Sequence, residues 1–229
     1  MVDVRYTMCD GVEVPLQACR RRLPLYGGAR WHRRDIQQAD WEVTVARLPI
    51  ATRDSIPEDQ RAIFDEMVQA LGSVPRYGPG SVMVHVPKAH QWATGLNHYL
   101  RDESSLPEKI QELAMLVTAR ELDCQHIWNA HAASARQAGV RNEIVDALRE
   151  RKDLPGLAPD EAAVVHYGRE FFRTHRVSRG AFQAALEQFG RQGVIELSLV
   201  LGNYSLLALL INAFDTDLPP DRSEPLLPV

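Results

Sequence analysis

A short stretch in the middle of the chain combines a thiol, two imidazoles and an indole. From Asp123 to His131 it reads DCQHIWNAH. In a helix that begins at Cys124, the side chains of Cys124, Trp128 and His131 share one face, because they lie four and seven positions apart. The positive end of the helix dipole would favour a thiolate, and His131 could exchange a proton with a bound molecule. His126 points toward a loop or the preceding helix. The same spacing also fits a buried cysteine, a packed tryptophan and a hydrogen-bonded histidine, so spacing alone leaves both interpretations open.

The preceding segment places a carboxylate among apolar side chains. The helix predicted over residues 107–122 is apolar on all sides, which is typical of a buried helix. Glu112 shares a stripe of this helix with Met115 and Ala119. A carboxylate in such surroundings must be paired, protonated or exposed by a cavity. Glu112 is therefore a candidate acid or base, or one half of a salt bridge with Arg120 or a more distant arginine.

Helix signals dominate the chain around these residues. Ser105 and Glu108 have the spacing of a capping box. Gly72, Gly139 and Gly190 are placed to end helices. No segment combines strand alternation with hairpin turns. We therefore predict an all-α domain of seven or eight helices.

The two ends of the chain differ from this helical region. Residues 1–48 include an arginine-rich run without helical or strand periodicity, which predicts an irregular basic N-terminal arm. The helical domain is expected over residues 49–214. Residues 215–229 are rich in proline and acid and are expected to form an extended C-terminal tail.

The composition is that of a soluble globular protein, with 45% apolar and 24% charged residues. A net charge of −4 gives no overall attraction to nucleic acid, so no nucleic-acid partner is expected. Three cysteines are too few for a disulfide framework, and we predict a cytoplasmic protein. The apolar run 194–214 is long enough to span a bilayer. It contains Glu196, Asn203 and Asn212, so a helix buried in protein is predicted and no membrane association.

Over about residues 46–210 the chain resembles the carboxymuconolactone decarboxylase / alkylhydroperoxidase D superfamily. The resemblance lies in LPEKIQELAMLVTARELDCQHIWNAHAASARQAGV and, more loosely, in VPKAHQW. Members similar to alkylhydroperoxidase D carry a glutamate, eleven further residues and then C-x-x-C-x-x-x-H, often with a histidine between the cysteines. By this resemblance Glu112 matches the glutamate, Cys124 the first cysteine, His126 the inner histidine and His131 the final histidine. The implied fold is an alkylhydroperoxidase D-like helical bundle.

The chain departs from the family pattern at Ile127. The peroxidase branch has its second cysteine there, and the decarboxylase-like branch often has a glutamate, in C-E-Y-E-W-x-x-H. Isoleucine cannot form a disulfide, so the dithiol cycle of the family cannot run in this chain. Glu112 and His131 remain as an acid–base pair, with His126 in reserve. Cys124 is then a bystander or a one-cysteine peroxide scavenger.

We therefore predict an enzyme of decarboxylase or lyase type that acts by acid–base chemistry on a small organic acid or lactone. Glu112 is the predicted proton carrier, and His131 is the group that orients or protonates the substrate. The expected substrate contacts are Trp128, Ile127 and Tyr204.

The scheme requires no cofactor, and no metal site is expected. The resemblance also implies a homo-oligomer with sites near subunit contacts. Two alternatives stay open: a thiol-dependent hydroperoxidase with peroxiredoxin-type activity that uses Cys124, and a non-catalytic binding or assembly protein.

Overall fold

The computed structural model describes residues 46–229, together with the backbone of two short strands near the N-terminus. The chain divides into two compact units, Met1–Val43 and Thr44–Val229.

The N-terminal unit contains an antiparallel hairpin. Strand β1 (Tyr6–Cys9) pairs with strand β2 (Val12–Pro15). The sequence analysis did not identify this hairpin, which lies outside the predicted all-α domain. The sequence signal is the dipeptide Asp10-Gly11 between the strands, since Asp-Gly strongly favours a two-residue hairpin turn. The rest of the predicted arm, up to residue 45, lies outside the described residues.

The second unit is all-α, as predicted. Two 3-10 turns, Arg53–Ser55 and Glu58–Gln60, come first, and one turn of π-helix, Tyr99–Glu103, follows the third α-helix. Among residues 46–229 there are eight α-helices: α1 (Arg61–Leu71), α2 (Gly78–Met83), α3 (Pro87–His98), α4 (Glu108–Glu121), α5 (Gln125–Gln137), α6 (Asn142–Arg149), α7 (Pro159–Thr174) and α8 (Arg179–Phe214).

Helix α4 is the centre of the core. Its residues from Ile110 to Arg120 are all buried, in agreement with the helix predicted to be apolar on every side. Helices α5, α7 and α8 pack around it. Burial of a side chain such as Leu113, which is 0% exposed, contributes roughly 1.5–3 kcal/mol. At Gly168 of α7 a Cβ atom would lie 2.9 Å from Val117, so the glycine permits α7 to approach α4 closely.

Helix α8 is interrupted at Gly190, where φ is 66° and ψ is −177°. The predicted helix stop at this glycine is therefore confirmed. The longer second part of α8 carries the apolar run and is long and apolar enough to cross a membrane. It packs on α4 and α7 and supplies buried core residues, which is the behaviour of a core helix, as predicted.

The carboxylate of Glu196 lies inside this apolar helix and is fully hydrogen-bonded. It accepts hydrogen bonds from the Tyr99 hydroxyl (2.7 Å), the Ser105 N–H (2.8 Å) and the Gln192 amide (2.8 Å). The Ser105 hydroxyl donates a fourth bond at 2.5 Å. These bonds hold the pKa of Glu196 below its ordinary value, although burial opposes them. The predicted capping box does not form, because Ser105 serves Glu196 and α4 begins after Pro107.

The C-terminal residues 215–229 contain no helix and dock onto α5. The Gln125 side chain donates to the Leu227 carbonyl (2.9 Å) and accepts from the Leu227 N–H (2.8 Å). Arg120 donates to the Pro228 carbonyl at 3.1 Å. Leu227 itself is buried, so the tail is part of the core rather than a free extension.

Candidate active site

Glu112 and His131 form the centre of the candidate site. Helix α4 carries Glu112, helix α5 carries His131, and these two helices pack against each other. His131 Nδ1 lies 2.9 Å from Glu112 Oε2. An ionised carboxylate only accepts hydrogen bonds, so Nδ1 carries the proton of this bond. In the neutral imidazole the lone pair is then on Nε2, which can act as a base.

Arg101, which the sequence interpretation does not include, contacts the other oxygen of Glu112. Its Nη2 lies 3.3 Å from Glu112 Oε1. Its Nη1 donates to the Tyr204 hydroxyl at 3.3 Å and approaches the Met115 sulfur at 3.7 Å. The Arg101 side chain is 35% exposed, whereas that of Glu112 is 1% exposed. Arg101 is therefore partly exposed to solvent while its guanidinium group contacts the buried carboxylate of Glu112.

Of the two ionic partners expected for Glu112, the more distant arginine is the one observed, and it is Arg101. Arg120 instead pairs with Asp123, at 2.6 Å. The sequence contains little to identify Arg101, because it stands in the polar run RDESS. Its orientation depends on the π-helical turn Tyr99–Glu103, a rare conformation that is frequent at functional sites.

Tyr204, a predicted substrate contact, reaches the site from α8. Its ring packs edge to face against the His131 imidazole, with centroids 5.1 Å apart. Burial raises the pKa of Tyr204, while the hydrogen bond from Arg101 opposes that rise. The phenol is therefore neutral near pH 7. Because its oxygen accepts from Arg101, its own O–H is free to donate.

Cys124 is the N-cap of α5 rather than its first helical residue, and it is 0% exposed. Burial raises the pKa of its thiol above the ordinary value, although backbone N–H groups of Ile127 and His126 donate to the sulfur and oppose the rise. Of the two interpretations left open by the spacing, the buried cysteine agrees with this raised pKa, because the loss of hydration outweighs the helix terminus.

His126 points toward the start of α2, and not toward the preceding helix as one of the two predicted orientations had it. A Cβ atom on Gly78 would lie 2.3 Å from His126 Nε2, so the ring packs directly on the Gly78 backbone. Its Nδ1 is buried without a hydrogen-bond partner. Burial, and then the nearby charge of His131, lower the pKa of His126. It is therefore neutral near pH 7 and is a weak candidate for the proton carrier.

Ile127 and Trp128 lie in the hydrophobic core, 3% and 0% exposed. The Trp128 indole N–H is buried without a partner. Their role as substrate contacts stays a prediction. Within residues 46–229, no group of three or more His, Cys, Asp or Glu side chains is placed to hold a metal ion.

A family model matches part of the chain. Residues 87–170, which include Arg101, Glu112 and His131, match the Carboxymuconolactone decarboxylase family. The chain is similar to this family over that region. The resemblance seen in the sequence is thus confirmed for residues 87–170. No curated protein sequence matches the chain.

Solved structures share the fold of this chain. An uncharacterized peroxidase-related protein with an alkylhydroperoxidase AhpD core, from Ralstonia eutropha, is 17% identical with a TM-score of 0.60; the match covers 77% of this chain and 93% of that one. A peroxidase-related protein from Silicibacter is 18% identical with a TM-score of 0.56, covering 78% and 93%. The debrominase Bmp8, in complex with 2,3,4-tribromopyrrole, is 15% identical with a TM-score of 0.54, covering 76% and 91%. At these identities the likeness shows the fold alone.

Proposed function

We propose that the protein is an enzyme of decarboxylase or lyase type that performs acid–base chemistry on a small organic acid or lactone, with His131 as the proton carrier. The observation that carries the proposal is the 2.9 Å contact between His131 Nδ1 and Glu112 Oε2, with Arg101 3.3 Å from the other oxygen. Similarity over residues 87–170 to a family that contains enzymes supports catalysis.

Of the two roles expected for His131, orienting or protonating the substrate, we assign it the second, and Glu112 is no longer the proton carrier. Glu112 is 1% exposed and both its oxygens are engaged, so it has little access to a substrate. The His131 side chain is 13% exposed, and its Nε2 is not used by the Glu112 bond. His131 is therefore the group that exchanges a proton, and Glu112 fixes its tautomer and orientation.

A decarboxylation at this site can be written with the present residues. The bond between the carboxyl carbon and its neighbour breaks, CO₂ leaves, and the electron pair passes into an adjacent carbonyl as an enolate. Imidazolium His131 then gives the Nε2 proton to the carbon and becomes neutral, and water restores its proton. The partly exposed Arg101 guanidinium and the Tyr204 O–H are placed to stabilise the enolate oxygen.

The same groups favour an anionic substrate. One guanidinium nitrogen of Arg101 contacts Glu112 and another donates to Tyr204. About a third of the side chain remains exposed, and this part can bind a carboxylate or enolate. The scheme needs no cofactor, and a small molecule is the proposed partner. The cytoplasm is the proposed compartment.

A thiol-dependent hydroperoxidase is the second candidate, because N–H groups of His126 and Ile127 bond to the Cys124 sulfur and oppose the rise in its pKa. The thiolate would attack the O–O bond, an alcohol would leave, and an external thiol would reduce the sulfenic acid. Complete burial of Cys124 disfavours this route. The Arg101–Glu112 ion pair alone would also suit a non-catalytic binding or assembly protein.

The test assays one panel of lactones, keto acids and organic hydroperoxides against three chains. His131→Asn retains a side-chain N–H near Glu112 but lacks Nε2, and Cys124→Ser is its matched control. We expect lactone or keto-acid turnover that falls about 10²- to 10⁴-fold in His131→Asn and is unchanged in Cys124→Ser. The reverse pattern with hydroperoxides would assign the second candidate. Ligand-induced thermal shifts without turnover by any chain would assign a binding protein.

A further inference from the structure

The carboxylate of Glu196 binds both ends of the π-helical turn. Tyr99 is the first residue of this turn, and its hydroxyl donates to Glu196 Oε1 at 2.7 Å. Ser105 lies just beyond the last residue but one after the turn begins to straighten into the loop before α4. Its N–H and its hydroxyl both donate to Glu196 Oε2, at 2.8 and 2.5 Å. One carboxylate from α8 thus joins the two ends of the turn that follows α3.

Glu196 can hold the turn firmly because it is buried, ionised and itself fixed. The residue is 2% exposed. The Gln192 amide, one helical turn earlier in α8, donates to Oε1 at 2.8 Å. Hydrogen bonds to an ionised acceptor are stronger than those between neutral groups. The hydrogen bond to Glu196, followed by loss of hydration, raises the pKa of Tyr99, so the phenol keeps its proton and remains a donor.

Arg101 stands at the centre of the turn that these bonds hold. Its Nη2 lies 3.3 Å from Glu112 Oε1, and its Nη1 donates to the Tyr204 hydroxyl at 3.3 Å. A π-helical turn is rare, so it persists where surrounding contacts fix it. The backbone position of Arg101, and with it the reach of its guanidinium group toward Glu112, therefore depends on what fixes the ends of the turn.

The other contacts of the turn are weaker or hold one end. The pair formed by His98 and Asp102 (2.6 Å) has both side chains mostly exposed, and surface pairs of this kind contribute little. Gln111 donates to the hydroxyl of the residue after the turn at 3.1 Å, which holds that end only. Leu100 is fully buried, but apolar burial is non-directional and does not fix the winding of a backbone. Glu196 combines burial, charge and contact with both ends.

We propose that Glu196 is a positioning residue for the candidate active site. It holds the π-helical turn at both ends and so keeps Arg101 against Glu112, although its own hydrogen bonds lie outside that site. The position of Arg101 follows from these contacts alone, whereas its effect on an anionic substrate rests on the proposed function. The same role accounts for a carboxylate inside the apolar part of α8, where an unpaired charge would destabilise the fold.

The test measures how fast Arg101 of the full-length chain reacts with phenylglyoxal, followed by peptide mass spectrometry. Glu196→Gln keeps the size of the side chain but places an amide NH₂, which is a donor, against the donors of one end. We expect Arg101 to react at least about threefold faster in this variant, because a hydrogen bond to a charged group shifts an equilibrium by about tenfold or more. Tyr99→Phe and Ser105→Ala each remove one bond and should give smaller increases.

Tyr167→Phe is the matched control. It removes a tyrosine hydroxyl that lies 2.8 Å from the Ser198 hydroxyl of the same helix α8, in a bond that does not involve the turn. Arg101 should react at the wild-type rate in this variant. Arg173, which pairs with Glu121 at 2.7 Å, is the internal reference, since a general loss of structure would speed its reaction as well.

Circular dichroism verifies that each variant folds. If Glu196→Gln does not fold, Tyr99→Phe and Ser105→Ala replace it. Wild-type rates at Arg101 in every folded variant of the turn would overturn the proposal. An equal acceleration at Arg101 and Arg173 would overturn it too, because Glu196 would then stabilise the whole fold without positioning one side chain.

Turnover separates the positioning role from the proposed function. With a lactone or keto acid that the wild-type chain turns over, Tyr99→Phe should lower kcat/KM and Tyr167→Phe should leave it unchanged. If no chain shows turnover while Arg101 reacts faster in the Glu196 and Tyr99 variants, the proposed function fails and the positioning role stands. If the wild-type chain turns over its substrate while the reaction of Arg101 is unchanged in those variants, the positioning role alone fails.

Discussion

The imidazole of His131 meets the phenol ring of Tyr204 edge to face, with centroids 5.1 Å apart and an interplanar angle of 80°. Glu112 holds Nδ1 of the same imidazole at 2.9 Å. The ring is thus fixed by a carboxylate from α4 and an aromatic contact from α8. The proposed proton carrier, fixed in this way, would meet each substrate molecule in one orientation, which is the condition for efficient transfer.

Tyr204→Phe separates the two contributions of this tyrosine. The variant keeps the ring contact with His131 and loses the hydroxyl that accepts from Arg101. One hydrogen bond of about 0.5–1.5 kcal/mol predicts a roughly 2- to 12-fold fall in kcat/KM. Steady-state kinetics measure it, and Tyr204→Ala, which also removes the ring, should fall further. Equal rates for wild type and Tyr204→Phe would exclude the hydroxyl from catalysis.

Glu112→Gln is expected to lower the free energy of unfolding by about 1–3 kcal/mol, since Arg101 loses a buried charged partner. Urea unfolding measures the change. Asp65→Asn is the control, because its ion pair with Arg53 is about half-exposed and should cost less than about 1 kcal/mol. A Glu112→Gln variant as stable as the control would mean that the buried carboxylate contributes nothing to folding.

Cys124 is expected to react slowly with iodoacetamide while the chain is folded, because the thiol is buried and its pKa is raised. Denaturation in urea should increase its rate of modification at least tenfold. Peptide mass spectrometry distinguishes Cys124 from Cys9 and Cys19. Rapid labelling of Cys124 in the native chain would contradict its burial and would strengthen the hydroperoxidase candidate.

The lowered pKa of His126 predicts that the free energy of unfolding falls in mild acid. Its pKa in the folded chain is lowered by burial, and the ordinary value is 6.5. Below about pH 6.5 the unfolded chain therefore binds more protons than the folded chain, so stability is complete above that pH and is lost as the pH falls toward the folded pKa.

Urea unfolding at pH 7.5 and at pH 5.5 measures this loss, and it should be smaller in His126→Gln than in the wild-type chain. The pKa of His90 is lowered by burial too. His90 is present in both chains, so its contribution cancels in the comparison. An identical loss in the two chains would show that His126 is free to protonate when folded.

Gly78→Ala is expected to disturb the candidate site from outside it. Gly78 has φ near +62°, and an added Cβ would meet the His126 ring at 2.3 Å. We predict a loss of stability of about 1–3 kcal/mol from the strained backbone and the displaced ring, measured by thermal unfolding. Gly72→Ala is the control, because its φ of +75° is similar and its Cβ would meet nothing within 4 Å. Similar losses in both variants would show that backbone conformation, and not contact with His126, sets the cost.

Local pattern was sufficient for the main features of the fold and for part of the site. The apolar surround of Glu112 predicts a buried helix, and Gly190 predicts the interruption of α8; both are confirmed. The pairing of Glu112 with His131 follows the motif spacing. Tyr204 is a candidate in the sequence because it is a polar residue in an apolar helix, and it lies beside His131.

Features that depend on tertiary packing were not predictable in the same way. The helix terminus at Cys124 suggests a thiolate, but the burial that raises its pKa comes from neighbouring elements. Ser105 and Glu108 have the sequence pattern of a helix cap, yet the Ser105 hydroxyl donates its hydrogen bond to Glu196 of α8 instead. Arg101 looks like an ordinary surface arginine in the sequence, because only the folded chain brings Glu112 and Tyr204 to it.

The direction in which the Arg101 guanidinium group points depends on the π-helical conformation of the turn Tyr99–Glu103. A turn of this type holds about one residue more than an α-helical turn. Shortening it by one residue would swing everything after it by about 100° around the helix axis. Arg101 would then lose its line of approach to the carboxylate while the chain kept every charge that it now has. The position of the Arg101 guanidinium group therefore depends on the backbone conformation of this turn as well as on the residues that it contains.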